Sequence, residues 1–480
     1  MAWEPVIGLE IHAQLLTKSK MFCCCSAAYA DATPNSHVCQ VCSGMPGALP
    51  VANGQAVRYT IMTALALHCE IPEFSKFDRK NYFYPDLPKG YQISQYDLPL
   101  SRNGYLDVEV GDGEKRIGIT RVHLEEDTGK SMHPGGDYSL VDLNRCGVPL
   151  MEIVSEPDLR TAEEARRYFT QLRSVLQYLG VSDGDMSKGS LRCDANVSVR
   201  PAGSSAFGTK TEIKNMNSFR SVKLAIEYEI ARQIRVLESG GTIVQETRGW
   251  KEDTRQTVSQ RSKEHAEDYR YFPEPDLPPL LLDPVWIEEI RADLPEMAGE
   301  RAARLERDFG LPEADVLQLT RSRSMADLFE LTAGLLSGDK REVAKWLLGE
   351  FQRLLNEAGM EADEQSTVRP EGLAALIRMI ESRDVSSTAA KTAFEEYFRT
   401  GEDPTSIVRR LGLLQVSDRA SLEPIARKAI AENENAVADY KRGKTQALGR
   451  VVGAVMKEMR GANPALVGEL LRELIDQQEV

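Results

Sequence analysis

Val6-Ile-Gly-Leu-Glu-Ile-His-Ala-Gln-Leu15 alternates, and the reading of the fold follows from it. Ile7, Leu9, Ile11, Ala13 and Leu15 share one face, and Glu10, His12 and Gln14 share the other. That is the period of a strand buried on one side. Glu and His two residues apart are presented to one point, and imidazole with carboxylates can ligate a metal. An edge strand with a wet face is the competing reading. Leu191–Arg200 repeats the pattern, with Arg192, Asp194, Asn196, Ser198 and Arg200 opposite Cys193, Ala195, Val197 and Val199. A turn over 201–208 joins it to Thr209–Asn215, a hairpin partner whose Lys210, Glu212 and Lys214 share a face. Val141–Arg145 and Val148–Val154 also read as strands, with Asp142, Asn144 and Glu152 as polar members. Polar strand faces ordinarily mean solvent, but these repeat Glu, Asp, Asn and Lys. They predict a curved, mostly antiparallel sheet with a polar cavity on its concave face. A helix from Ser218 to Leu237 is expected on the other face, with Val222, Ile226, Ile230 and Ile234 inward.

Arg121-Val-His-Leu-Glu-Glu-Asp-Thr-Gly-Lys130 carries three adjacent acids, Glu125, Glu126 and Asp127. Adjacent acids repel unless a cation or basic groups neutralise them. Hard divalent cations such as Mg²⁺ take oxygen ligands and are shared with phosphates. The stretch therefore reads as the centre of a metal–phosphate site, against the alternative of a solvated acidic turn. Phe77–Gln95 is too polar and Pro-rich for a helix or a central strand, and mixes Arg79, Lys80 and Lys89 with Phe77, Tyr82, Phe83, Tyr84 and Tyr91. Its cations could meet phosphates or carboxylates and its rings a base, or it could be a rigid packing loop. Tyr269–Leu277 is a second aromatic, Pro-rich loop of similar composition. Between them, Thr161-Ala-Glu-Glu164 is a capping box. It opens a helix that buries Ala165, Phe169, Leu172, Leu176 and Leu179 and stops at Gly180.

Five of the eight cysteines fall within Cys23–Cys42. Cys39 and Cys42 form a CxxC knuckle, and Cys23 and Cys25 a CxC upstream. Two close thiolate pairs suit a closed, structural, tetrahedral Zn²⁺ site, against the alternative of incidental thiols and the lesser one of a redox CxxC. Cys24 is expected to point away. Cys69, Cys146 and Cys193 are scattered and read as small core residues.

The chain has 480 residues, 42% hydrophobic and 28% charged, ordinary for a globular protein of two to four domains. Its net charge of −14 argues against binding nucleic acid by bulk charge. No apolar run approaches the roughly 18 residues of a spanning helix, and no signal-peptide pattern is present, so a cytoplasmic protein without a membrane partner is expected. From Ile287 onward helix formers dominate, which sets a boundary near 285–295; Gly401-Glu-Asp-Pro404 sets a second near 400–412. Leu448, Val451, Val452, Val455 and Met459 form a helical apolar stripe, and Asn463-Pro464 start a last helix. Lys441–Arg460 holds six Lys/Arg and one Glu. Such a segment suits a phosphate backbone, and a solvated helix face is the alternative.

Spacing and periodicity thus reach a zinc knuckle, a polar cavity and a basic tail, but no substrate. Several long stretches go further. Val6–His12, Phe77–Gln95, His123-Leu-Glu-Glu-Asp127, Asp142-Leu-Asn-Arg145, Lys214-Asn-Met-Asn-Ser-Phe219 and Asp268-Tyr-Arg-Tyr-Phe-Pro-Glu-Pro-Asp-Leu277 closely resemble the B subunits of the aspartyl/glutamyl-tRNA amidotransferases. The resemblance implies an α+β cradle domain (1–290), an all-α helical domain (291–410) and a small helical tail domain (411–480) that meets tRNA. It implies a reaction in which ATP phosphorylates the side chain of a mischarged Glu-tRNA or Asp-tRNA and ammonia then forms the amide. It places Glu10, His12, Glu125 and Glu152 at the metal and phosphate end, with His12, Glu125 and Glu152 as Mg²⁺ ligands and Lys80 and Lys89 balancing phosphate charge. Asp194, Asn196, Lys210, Glu212 and Lys214 become further cavity-wall residues for substrate or nucleotide. Cys23, Cys25, Cys39 and Cys42 match the zinc-bearing form of the family. Lys441, Arg442, Lys444, Arg450 and Lys457 lie in the part that meets tRNA. No Ser–Ser–Lys amidase signature is present, so an amidase partner and a small third subunit are expected. A non-catalytic tRNA-binding scaffold and a stand-alone metal-dependent hydrolase are the competing classes.

Overall fold

A computed structural model describes residues 2–111, 113–135, 137–262, 269–362, 367–415, 419–459 and 462–477. Arg460 of the basic tail and Asp268 of the second aromatic loop lie outside them. The described chain forms two compact units, residues 1–298 and 299–480.

The first unit is built on a mixed but mostly antiparallel sheet, eight-stranded among the described residues. Its strands are β1 (Trp3–Gln14), β2 (Ser101–Val110), β3 (Gly113–Glu126), β4 (Pro149–Ser155), β5 (Leu191–Pro201), β6 (Thr211–Lys214), β7 (Glu246–Lys251) and β8 (Gln256–Ser262). The spatial order is β8-β7-β6-β5-β1-β4-β3-β2, and only the β6–β7 pair is parallel. β1 is therefore hydrogen-bonded along both edges, to β5 and to β4. Its inward residues Ile7, Leu9, Ile11 and Ala13 are all at most 1% exposed, so the alternation read from Val6–Leu15 is a core face against a polar face.

Helices α1 (Gly54–Ala66), α2 (Ala162–Leu179) and α3 (Phe219–Glu238) add their apolar faces to the core that holds these β1 residues. Phe169, Leu172, Leu176, Val222 and Ile226 are each fully buried there; such side chains stabilise by roughly 1.5–3 kcal/mol apiece. α2 starts where its capping residue allows: Thr161 Oγ1 accepts from the Glu164 amide at 3.1 Å, and Gly180 ends it at φ 67°. α3 departs from its periodicity. Ile230 and Ile234 are only partly buried, while Glu229 and Gln233 take the deepest positions. They can do so because Glu229 accepts from Arg232 Nε (3.0 Å) and Thr257 Oγ1 (2.9 Å), and Gln233 Nε2 donates to the Val197 carbonyl (3.0 Å).

The two aromatic loops meet. Asp78–Asn81, Tyr91–Ser94 and Phe272–Pro273 form a small separate sheet, with Phe272 opposite Arg79 and Lys80 opposite Gln92. Arg79 fastens it: its guanidinium donates twice to the buried Glu274 at 2.8 Å and lies 4.2 Å over the Tyr91 ring.

Helix Pro284–Ala292 belongs with the sheet, because Ile290, Trp286 and Ile287 pack into the first core. Among its described residues the named elements of the second unit are all helices. Its apolar side chains gather in two clusters, one from Ala302 to Val408 and one from Leu422 to Ile475. No helix of the described residues is long and apolar enough to cross a membrane.

Candidate metal and phosphate site

Register brings the polar residues together. His12 of β1 stands opposite Glu152 of β4, and Glu152 stands opposite His123 of β3. On the other side Glu10 faces Asp194, and Asn196 faces Glu212. Directly paired antiparallel residues point to one face. These side chains from five strands therefore share the side of the sheet away from Ile7, Leu9 and Ile11.

One ligand atom each from His12, Glu125 and Glu152 lies within 4.8 Å of the other two. His12 Nε2 is 3.5 Å from Glu152 Oε2. A small strand pair closes over the group: Gln92 Nε2 and Ser94 Oγ each donate to Glu125 at 2.9 Å, and Lys80 Nζ is 3.9 Å away. Tyr269 lies 5.1 Å from the Lys80 ammonium. Two carboxylates and one imidazole suit a divalent cation that keeps other positions for water or phosphate oxygens.

Charge is balanced unevenly. Burial pushes the Glu125 carboxyl up, but Lys80 and His123 override it and hold it well below the usual carboxylate range. Glu152 is lowered too, with burial opposed chiefly by His123. Burial would lower His12, yet Glu152 and Glu125 raise it. Glu10 goes up, first through burial and then through Glu152, Glu212 and Asp194. Asn196 Nδ2 donates to Glu10 at 2.8 Å, and Lys214 Nζ reaches Asp194 at 2.5 Å and Glu212 at 3.1 Å. This second group is a wall of acids with one lysine among them.

The three adjacent acids have three different fates, which corrects their reading as one centre. Only Glu125 joins His12 and Glu152. Glu126 pairs with Lys89 and accepts from the Ile93 amide at 3.0 Å. Asp127 accepts from both terminal Arg192 nitrogens (3.0 and 3.1 Å) and from Gln14 Nε2 (2.7 Å). Lys89 is thus bound to Glu126, beside a cavity of about 90 Å³ that Phe22, Cys42 and Tyr91 also line. Lys210 sits just before β6 and is exposed.

His123, which periodicity alone gives no role, belongs to this group. It is 2% exposed, with Nε2 3.4 Å from Glu125 and 3.5 Å from Glu152. Its Nδ1 is buried without a hydrogen-bond partner. His123 and Glu125 repeat the two-residue spacing of Glu10 and His12, and that repeat is the signal the sequence offers.

The knuckle forms from one short segment. The sulfurs of Cys23, Cys25, Cys39 and Cys42 all lie within 4.8 Å of one another, while Cys24 is exposed and outside the group. Cys39 and Cys42 are 3.9 Å apart, sulfur to sulfur. A tetrahedral ion with Zn–S near 2.3 Å sets sulfurs roughly 3.8 Å apart, so the donor set can hold a structural metal. Cys42 is pulled down to about 4, by Cys23 first and then, against burial, by the Cys39 amide and Lys20. Gly147 closes the loop beneath, at φ 86°, where a side chain would be strained.

In the second unit Lys441, Arg442, Lys444, Arg450 and Lys457 are all exposed, on or between helices Glu434–Lys441 and Leu448–Glu458. Leu448, Val451 and Val455 are buried beneath them.

Comparison with known proteins settles the kinship. Residues 5–288 match the family described as the GatB/GatE catalytic domain, and residues 327–475 match the GatB domain. The chain is 56% identical to the B subunit of the aspartyl/glutamyl-tRNA(Asn/Gln) amidotransferase from Carboxydothermus hydrogenoformans, over 98% of each chain. It is 54% identical to that of Caldicellulosiruptor saccharolyticus, over 99% of this chain and 100% of the relative. With that of Moorella thermoacetica it shares 55% identity, over 98% of this chain and 100% of the relative. With the histidine and two carboxylates converging on its central strands, the chain belongs to the GatB/GatE family, among the B subunits of the aspartyl/glutamyl-tRNA(Asn/Gln) amidotransferases.

Proposed function

We propose that this chain is the ATP-using subunit of a cytoplasmic tRNA-dependent amidotransferase. Its substrate is a tRNA carrying the wrong acid, Glu on the glutamine tRNA or Asp on the asparagine tRNA. The convergence of His12, Glu125 and Glu152 beside Lys80, in a chain of this family, is the observation that supports the reading most.

A carboxylate is a poor acyl donor. The γ-phosphoryl group of ATP passes to a side-chain oxygen of the substrate and ADP leaves. Ammonia then attacks the acyl carbon, the C–O bond to phosphate breaks, and loss of a proton leaves the amide. Mg²⁺ held by His12, Glu125 and Glu152 would neutralise charge on the transferring group. Lys80 adds a cation at the same place. Glu10, Asp194, Asn196, Glu212 and Lys214 offer donors and acceptors to the aminoacyl end and the nucleotide. Acyl phosphates hydrolyse, so the site gains from a wall that limits water.

We assign this chemistry to a cradle of residues 1–290, with a helical domain over 291–410 and a tail over 411–480. Lys441, Arg442, Lys444, Arg450 and Lys457 of the tail would meet tRNA phosphates. Ammonia would come from an amidase partner, assembled with a small third subunit. Glu125→Gln in the assembled complex should keep tRNA binding and lose ATP-dependent phosphorylation. Unchanged amidation would favour a non-catalytic scaffold. Robust glutaminase turnover by this chain alone would remove the need for a partner.

A further inference from the structure

Lys20 is one of the largest fully buried side chains in the molecule, at 1% exposure. Its ammonium donates to the His37 carbonyl at 2.7 Å and the Leu143 carbonyl at 3.2 Å, and lies 3.6 Å from Cys42 Sγ. All three ammonium hydrogens are thereby used. Among the described residues no carboxylate pairs with it. A buried charge without an opposite charge is costly, and the carbonyls supply dipoles only. Of its three acceptors only Cys42 can carry a negative charge, and its sulfur also accepts from the Cys39 amide at 3.2 Å. Zn²⁺ on four thiolates leaves two formal negative charges, so such a site attracts donors to its sulfurs.

We propose that Lys20 is the counter-cation and positioning residue of the four-cysteine site: its ammonium donates to the Cys42 sulfur that would bind zinc and ties the knuckle to the segment before β4. The inference rests on the zinc reading of Cys23, Cys25, Cys39 and Cys42. Lys20 joins three stretches of chain that approach from different directions: its own, the knuckle loop at His37, and Leu143. Neighbouring bonds run the same way. The Met21 amide donates to the Gly147 carbonyl at 2.7 Å, the Gly147 amide to the Asp127 carbonyl at 2.8 Å, and Cys146 Sγ to the Cys42 carbonyl at 3.4 Å. Zinc and Lys20 together therefore brace the turn from which β4 carries Glu152 into the sheet.

The test uses the full chain in its complex, as wild type, Lys20→Met and Lys20→Gln. Zinc content is measured first, then the rate of zinc release to excess 4-(2-pyridylazo)resorcinol. Both variants should release zinc about tenfold faster or more. Lys20→Gln retains amide donors for His37 and Leu143 but no charge. Wild-type release from Lys20→Met, or from Lys20→Gln alone, overturns the counter-cation role. Zinc-free wild type overturns the zinc reading and Lys20's role with it. Should neither variant fold, wild type suffices: Lys20 should resist acetic anhydride with zinc bound and become reactive once zinc is stripped. Equal protection in both forms overturns the proposal.

Discussion

The molecule holds two clusters with metal-ligand chemistry, and they are assembled in opposite ways. The knuckle takes its four thiols from Cys23 to Cys42, one short run of chain. The other takes His12, Glu125 and Glu152 from three strands far apart in the sequence. Local spacing can create the first by itself. The second exists only because β4 lies between β1 and β3 in a fixed register, which sets His12, Glu152 and His123 in one row. A one-residue slip of β4 would turn Glu152 into the core and break the row. The knuckle is thus assembled locally, and the strand site depends on the folded sheet as a whole.

The sharpest way to break this contrast is a double variant. His12→Ala and Glu152→Gln should each lower ATP-dependent phosphorylation of the aminoacyl-tRNA by roughly two to three orders of magnitude. Combined, they should fall little further, because both would remove one shared ion. Single-turnover assays decide it: losses that multiply would mean that the two residues act independently.

Zinc removal should separate bracing from chemistry. Stripping zinc, or Cys39→Ser, should lower the melting temperature by about 5 °C or more. The phosphorylation rate at a temperature where the chain remains folded should change by less than about tenfold. Activity lost with no change in melting temperature would place the knuckle in the chemistry.

His123→Ala tests the row at its buried end. Partners that orient metal ligands typically contribute about 10–100-fold in metal affinity. A Mg²⁺ titration should shift by that amount, with most of the rate recovered at saturating metal. An unshifted titration would leave His123 as core filling.

The smallest expected effects lie in the helical unit, where no such convergence is needed. Arg450→Ala and Lys457→Ala should each reduce the salt slope of tRNA binding by roughly one. Phosphorylation of saturating substrate should be unaltered. Unchanged binding and slope would make these side chains an ordinary solvated face.

Particular elements show how far reading the chain can go. The alternation in Val6–Leu15 and Leu191–Arg200 marks two adjacent strands and their polar faces, because a two-residue period is a local property. Thr161 and Gly180 bound α2 for the same reason. Along the chain Glu125-Glu126-Asp127 looks like one centre, yet consecutive residues in and after a strand diverge, and each acid meets a different cation. The composition of its loop leaves phosphate and carboxylate both open as partners of Lys89, and the fold supplies a carboxylate, Glu126, far along the chain. Glu229 cannot be placed on the buried side of α3 by hydrophobicity, because what makes its burial tolerable is Arg232 and Thr257. Lys20 gives no signal: beside a cysteine run it looks like any surface lysine.

By itself the sequence determined strand and helix periods, caps, the grouping of four thiols and the family. All of these depend on neighbours within a short run of chain or on long matching stretches. Strand order, register and the pairing of buried charges such as Glu126 with Lys89 and Asp127 with Arg192 were decided only by tertiary structure. Those depend on which distant segments pack together, and a buried ion takes the partner that the fold brings within reach, whatever stands beside it in the chain.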